Sequence, residues 1–390
     1  MTGFPIVLSN GPPDRFQDVA DAGVTMVRAG RGDWSDDASL DAQIAAERAH
    51  LDLAAQHGLK CWIWLGTLTN LPPGATGAAL RRVIDGLKDH PALGAWKGHD
   101  EPRNPFNGAL SVPPANLARG HRLVASLDPD HPLVIIQAPR GSVEGLVPYR
   151  PAFDIGGVDI YPISYPPGIH SDQPNHDISV VGDMTQWIRR AAGTKPVWVT
   201  LQIAWSGVIP TKQKPGVVPR FPSNTELRFM AYQAIANGAR GLAFFGGHVT
   251  AVQSPQDAKA GWNWTFWRES LEGLVRELSS TALAPALVAP ASKLNVHTQP
   301  HSADIEIATR QTAQFLYVIV VRRGGPTSQV VIAGLPATTK GGDVLFEYAQ
   351  DPPPPPIVPA KQKFRSIAVT AGAFRDWFAP HDARVYRFKR

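Results

Sequence analysis

Between residues 4 and 287 the chain alternates short, apolar, β-rich runs with longer amphipathic stretches, the pattern that parallel βαβ units leave in a sequence. Strands are predicted at 4–9, 25–29, 60–66, 93–99, 132–138, 155–161, 196–204 and 241–246. Helical spacing of apolar positions runs through 40–57, 80–90, 116–127, 184–192 and 224–238. Ser223 with Glu226 three residues later predicts a capping box opening the last of these helices. Glu226 is therefore assigned to structure and not to chemistry. Eight strand–helix pairs predict a (β/α)8 TIM barrel, a fold of ~250 residues plus insertions. A doubly wound open sheet is the alternative, but no Gly-x-Gly-x-x-Gly turn follows the first strand.

From Ala289 the texture changes to period-two alternation at 304–307, 316–321, 329–333, 343–348, 366–370 and 383–388. This predicts a small antiparallel β-sandwich domain over 289–390, after a barrel domain over 1–288. Pro352 to Pro356 is a polyproline stretch, read as a stiff exposed loop. Two barrel loops, 163–177 after strand six and 206–222 after strand seven, are long enough to serve as lids or binding walls.

Composition narrows the function classes. The chain is 43% hydrophobic and 18% charged, as a protein with a large core should be. Its net charge of +5 is spread thinly (Arg189-Arg190, Arg322-Arg323) without a basic run, so nucleic-acid binding gains no support. Cys61 is the single cysteine, which excludes an intrachain disulfide; it falls in an apolar strand and reads as core. No apolar run approaches the ~20 residues of a membrane span. The N-terminus lacks the basic and apolar regions of a signal peptide, a pattern shared by cytoplasmic proteins and by secreted ones whose leader has been removed.

Catalytic side chains of such barrels stand at the C-terminal ends of strands. Those ends carry Asn10, Arg28, Trp64, His99-Asp100-Glu101-Pro102, Gln137, Asp159 and Tyr161, Gln202 and Trp205, and Phe245 to His248. Alternation places Lys97, His99 and Glu101 on one face of strand four, with Trp96 and Gly98 outward. It likewise turns Asp159 and Tyr161 inward on strand six, and Thr200 and Gln202 inward on strand seven. An inward Lys97 needs an inward carboxylate as partner.

Glycoside hydrolysis commonly uses two carboxyl groups, one protonated and one ionised. Glu101 is the candidate general acid, because crowding by Asp100 and partial burial favour its protonated form. Asp159 is the candidate base or nucleophile. Against these stand plainer roles: Glu101 as a helix-start carboxylate, and Asp159 as the ion-pair partner of Lys97 or Arg28. Asp100 is expected to orient a sugar hydroxyl or His99. Arg28, Trp64, His99, Asp100, Gln137, Tyr161, Gln202, Trp205 and His248 complete the binding candidates. Trp64, Trp205 and Trp262 could each cover the C–H face of a pyranose, whereas Trp62, Trp187 and Trp198 read as core.

The run Trp96-Lys97-Gly98-His99-Asp100-Glu101-Pro102 resembles the fourth-strand motif of clan A glycoside hydrolases, which ends in Asn-Glu or Asp-Glu, often before Pro. Val158-Asp159-Ile160-Tyr161-Pro162 resembles the sixth-strand signature of uncharacterised bacterial members with an Asp-Glu-Pro fourth strand. So do Glu226-Leu227-Arg228 through Tyr232, Gly238-Ala239-Arg240-Gly241 and Phe244-Phe245. The likeness spans residues 1–290, and the C-terminal segment resembles the small β domain these hydrolases carry. It implies an oligosaccharide or glycoside substrate, Glu101 as the acid/base residue and Arg28 as a supporting one. One position departs: where the clan has a nucleophilic Glu at the end of strand seven, this chain has Gln202, and an amide cannot replace a carboxylate nucleophile. Since strands four and six are not neighbours, Glu101 and Asp159 could stand at the ~6.5–9.5 Å separation of an inverting enzyme. The missing carboxylate also leaves open a carbohydrate-binding pseudoenzyme. A metal-dependent barrel hydrolase would need a His/Asp cluster, and His99, Asp100 and Asp159 offer only a thin one. No cofactor or metal is expected.

Overall fold

The computed structural model describes residues 3–9, 11–29, 34, 39–103, 112–167, 170–203, 216, 218–219, 221–245, 267–348 and 363–390. In chain order its barrel-region strands are β1 (Ile6–Leu8), β2 (Met26–Arg28), β3 (Lys60–Trp64), β4 (Leu93–Lys97), β5 (Leu133–Gln137), β6 (Ile155–Ile160), β7 (Ser164–Tyr165), β8 (Val197–Gln202), β9 (Val218–Pro219) and β10 (Leu242–Phe245). Eight of them close a parallel barrel in the order β1-β10-β8-β6-β5-β4-β3-β2. The short β7 and β9 pair with each other, so the loops after the sixth and seventh barrel strands meet in a two-stranded ribbon.

Helices α1 (Phe16–Ala22), α2 (Leu40–Gln56), α3 (Ala78–Leu87), α4 (Pro114–Leu127), α5 (Val143–Leu146), α6 (Val180–Ala192), α7 (Asn224–Ala236), α8 (Glu272–Ser279) and α9 (Ala284–Val288) accompany the strands. The capping box is present: Ser223 Oγ accepts from the Glu226 amide while the Glu226 carboxylate accepts from the Ser223 amide.

Alternation along the strands divides the core in two. Val7, Met26, Trp62, Ala95, Val134, Ile136, Ile155, Trp198 and Ala243 fill the barrel interior. Leu8, Val27, Ile63, Trp96, Ile135, Val158, Leu201 and Phe244 belong to the larger cluster between strands and helices. Each such buried side chain contributes ~1.5–3 kcal/mol, so stability resides in the barrel wall. The polar strand ends can then hold groups chosen for chemistry. Cys61 is fully buried in that wall, where burial and then the Glu47 charge push its thiol up to about 12.

The C-terminal domain packs a three-stranded sheet, β11 (His297–Thr298), β14 (Ser328–Ala333) and β17 (Ala373–Phe378), against a five-stranded one. The latter holds β12 (Ile305–Gln311), β13 (Phe315–Arg322), β18 (Ala383–Lys389), β15 (Gly341–Tyr348) and β16 (Phe364–Ala368) in that order. Sequence periodicity missed β17. Its inward Asp376 interrupts the apolar alternation, and that carboxylate is buried because Arg365 and the Tyr386 hydroxyl, at 2.7 and 2.8 Å, both bond it. Ion pairs join the two domains: Arg323, just after β13, meets Asp183 on α6 at 2.8 Å.

Candidate active site

Tracing which residues the barrel interior holds fixes which strand-end side chains can meet. Trp198 lies inside, so Thr200 and Gln202 share its face of β8; Ile155 lies inside, so Gly157, Asp159 and Tyr161 follow it. The β6–β8 register sets Asp159 directly beside Thr200. On β4 the inward position is Ala95, so Lys97 enters the mouth. Its ammonium pairs with Asp100 at 2.6 Å, which supplies the inward carboxylate that position required.

Beyond Lys97 the chain leaves the strand. The Gly98 amide bonds the Val134 carbonyl, the His99 amide bonds Thr69 Oγ1, and the Glu101 amide bonds the Ile136 carbonyl. Glu101 stands at φ +44°, in the left-handed region. A side chain there costs on the order of 1–3 kcal/mol, a cost that characteristically falls on active-site residues. No helix begins at Glu101: residues 101–103 form a turn and the next described helix is α4. The helix-start role is thereby set aside.

The turn brings Glu101 against Asp159. Oxygens of these two carboxyls and a ring nitrogen of His170 all lie within 4.8 Å of one another. The wide separation that non-adjacent strands allow is not what the structure has, because the left-handed turn carries Glu101 past β5 toward β6. Asp159 is 7% exposed, and its Oδ1 has no hydrogen-bond partner among the described residues. Burial first, then the negative charges of Glu101 and Asp100, hold the Asp159 carboxyl well above the usual carboxylate range. Crowding was expected to favour the proton on Glu101. It is the more deeply buried Asp159 whose carboxyl is pushed up, since a charge there loses the most hydration.

Tyr161 closes one side of the pair. Its ring stacks on Phe245 at 5.6 Å and lies 4.3 Å from that of His170. Burial, then the Asp159 charge, raises the Tyr161 hydroxyl well above its ordinary value, so it remains a donor. The Tyr161 amide donates to His170 Nδ1 at 3.2 Å, which leaves the proton of a neutral His170 on Nε2. Opposite in kind is His99, whose Nδ1 donates to the Asp100 carbonyl at 2.9 Å. Arg140 adds a positive charge that acts on Asp172, Glu101 and Asp159.

Several candidates are placed elsewhere or committed to other work. Arg28 and Lys97 stand over the Trp64 ring at 4.5 and 4.2 Å from its centroid, so cations cover the surface a sugar would need. Gln202 is fully buried; its Oε1 accepts from the Ile163 amide and its Nε2 donates to the Ile163 carbonyl, at 2.8 and 2.9 Å. It braces the loop after β6. Gln137 shares the outward face of Ile135 on β5, with its buried amide unpartnered among the described residues. Neither Lys97 nor Arg28 forms an ion pair with Asp159 among the described residues. Trp205, His248 and Trp262 lie outside the described residues. Residue-level reading missed His170 and Arg140. His170 falls in the long loop after strand six, a segment marked as functional without any one residue singled out.

No protein-family model and no curated protein sequence matches the chain. Solved structures do. A protein described as a glycoside hydrolase aligns with TM-score 0.63 and 11% identity over 99% of this chain and 92% of its own. A glycoside hydrolase family 5 protein from Bacteroides vulgatus gives 0.61 and 13%, covering 99% and 89%. A family 30 endoxylanase from Clostridium papyrosolvens gives 0.52 and 10%, covering 100% and 97%. The shared property is the fold. Barrel and C-terminal sheets together match those of glycoside hydrolases along nearly their full length.

Proposed function

We propose that the protein is a glycoside hydrolase whose Glu101 and Asp159 act as one carboxyl pair on a glycosidic bond. The observation that carries this reading is the approach of their oxygens within 4.8 Å at the C-terminal end of the barrel. A pair that close shares one proton near neutral pH, because two negative charges in a buried site repel strongly. Retaining glycosidases hold their carboxyls ~5–5.5 Å apart and inverting ones ~6.5–9.5 Å, so the spacing favours retention. The buried Asp159 keeps the proton and serves as acid. Glu101 is the ionised partner that attacks the anomeric carbon, and Asp159 then activates the water that releases the sugar. Tyr161 and Arg140 stabilise the charged forms of the pair. The fold of the structural neighbours supports the reaction class.

Turnover of a panel of aryl glycosides by wild type, Glu101→Gln and Asp159→Asn tests the reading. Hydrolysis by wild type with losses of ~10³-fold or more in both variants is expected. Wild-type inactivity across the panel, with sugars still raising the melting temperature, would instead establish a carbohydrate-binding protein without catalysis. That outcome has one structural point in its favour: Gln202 stands where clan A places a carboxylate.

A second reading rests on His170. Glu101, Asp159 and His170 offer three ligand atoms at mutual distances a divalent cation could bridge. Calorimetric titration with Zn²⁺, Mn²⁺ and Ca²⁺ separates the two: tight 1:1 binding lost in His170→Ala would favour the metal site, and its absence the proton-sharing pair.

A further inference from the structure

At the end of the barrel opposite these carboxyls, where barrel and C-terminal domain meet, three arginines lie on adjoining segments and the charges of Arg240 and Arg189 act on Arg310. Arg310 lies on β12, on the strand face whose Ala308 packs into the barrel-side core. It is only 6% exposed; its Nη1 donates to the Thr309 carbonyl at 3.1 Å, and its Nε has no partner among the described residues. Arg240, just before β10, donates from Nη1 to the carbonyls of Leu287 and Ala289, each at 3.3 Å. Arg189, exposed on the last turn of α6, donates to the Asn237 carbonyl at 2.9 Å. The segment Arg240 grips runs on beside β12, since the Gln311 amide bonds the Pro290 carbonyl and the Ser292 amide bonds the Thr309 carbonyl.

These contacts are all to carbonyl oxygens, which carry only partial charge. Burial first, then the positive charges of Arg240 and Arg189, lower the Arg310 pKa to about 10, with no carboxylate among the groups acting on it. It therefore stays charged at neutral pH. Half-buried arginines differ: Arg228 meets Glu277, Arg323 meets Asp183 and Glu306, and Arg384 meets Glu347, each within 2.8 Å. Arg322, as buried as Arg310, has its Nε on the Gly324 carbonyl and its Nη1 on Ser328 Oγ and the Phe378 carbonyl, so its Nε is not left over. Glu306, also on β12, is already held by Arg323 and by Gln233 Nε2. A buried guanidinium that has neither a counter-charge nor acceptors for its donors, as at Arg310 Nε, is disfavoured unless a further acceptor completes it.

We propose that this seam binds a small tetrahedral oxyanion of the phosphate or sulfate class, with Arg310 as its buried floor and Arg189 as its exposed rim. Guanidinium donors suit such an ion because their planar fork meets two oxygens at once. Lying at the N-terminal ends of the strands, the site is separate from the carboxyl pair; its ligand would tie the C-terminal domain to the barrel without entering the reaction.

Equilibrium dialysis of the full chain against inorganic phosphate, sulfate and acetate, at an ionic strength held constant with chloride, tests the site. One phosphate or sulfate per chain is expected, with a dissociation constant of ~1 mM or below, together with a rise in melting temperature over chloride alone. Arg310→Met should abolish binding. Arg189→Ala, on the exposed rim, should keep the fold and weaken binding at least ~5-fold, a loss set by removing one charge-assisted donor. Wild type that binds neither anion at ~10 mM overturns the proposal, as does binding undiminished in Arg189→Ala or preference for acetate.

Discussion

Asp159→Asn keeps the shape of a buried carboxyl while removing its capacity to ionise beside Glu101, and the change should stabilise the protein once pH is high enough to strip that proton. Oxygens of the pair lie within 4.8 Å. At the effective dielectric of ~20 that suits protein sites, two unit charges at that distance repel by about 3.5 kcal/mol. The folded-state pKa of Asp159 lies above its unfolded value, so the folded chain binds this proton more tightly. Stability therefore falls as pH rises from the ordinary carboxylate range through the raised value, and the whole penalty is present only above it. Asparagine abolishes that fall. The variant should match wild type near pH 4, where Asp159 keeps its proton, and exceed it increasingly toward alkaline pH, by up to ~3.5 kcal/mol. With an unfolding entropy of ~2.1 cal/mol/K per residue, a 390-residue chain gains about 4 °C in Tm from that amount. Thermal unfolding of both proteins between pH 4 and pH 9 measures it. A variant less stable than wild type at high pH, or a gain confined to acid pH, would show that Asp159 is held ionised and refute the shared proton.

Further predictions follow from single side chains. Glu101→Gly should raise stability by ~1 kcal/mol in denaturant unfolding while abolishing activity, because glycine adopts the left-handed φ of +44° at little cost. Gln202→Ala strips both bonds from the Ile163 backbone and should cost ~2–4 kcal/mol, with faster proteolysis of the loop after β6. Gly120→Ala would place a Cβ 2.1 Å from the Thr69 carbonyl; since Thr69 also holds the His99 amide, it should lower both Tm and kcat, the reverse of a silent helix substitution.

How much of this was legible in the sequence depends on the range of the interaction concerned. The barrel was readable because its signal is local: alternating apolar runs, the Ser223–Glu226 capping box, and an inward face that had to find Lys97 a partner. Strand-end residues such as Asp159 and Tyr161 were readable for the same reason, since period two carries the inward face from Ile155 to Tyr161. What could not be read came from irregular backbone. Nothing in Asp100-Glu101-Pro102 announces the left-handed turn that swings Glu101 to Asp159, and so the sequence left the carboxyl spacing open between a close and a wide arrangement. Nor does the residue type reveal that Trp64 is covered by Arg28 and Lys97, or that the loop after β6 folds His170 back onto the Tyr161 amide. Gln137 was assigned to the mouth from its position at a strand end alone; the inward side chain on β5 is that of Ile136, one residue earlier.

The claim that Glu101 and Asp159 together cleave a glycosidic bond is tested most directly by trapping the glycosyl-enzyme. Incubation with a 2-deoxy-2-fluoroglycosyl fluoride of the preferred sugar, followed by peptide mass mapping, reads which oxygen is esterified. The account predicts a single label on Glu101, absent from Glu101→Gln. A label at a residue outside the pair, or product of inverted anomeric configuration with no label, would contradict it.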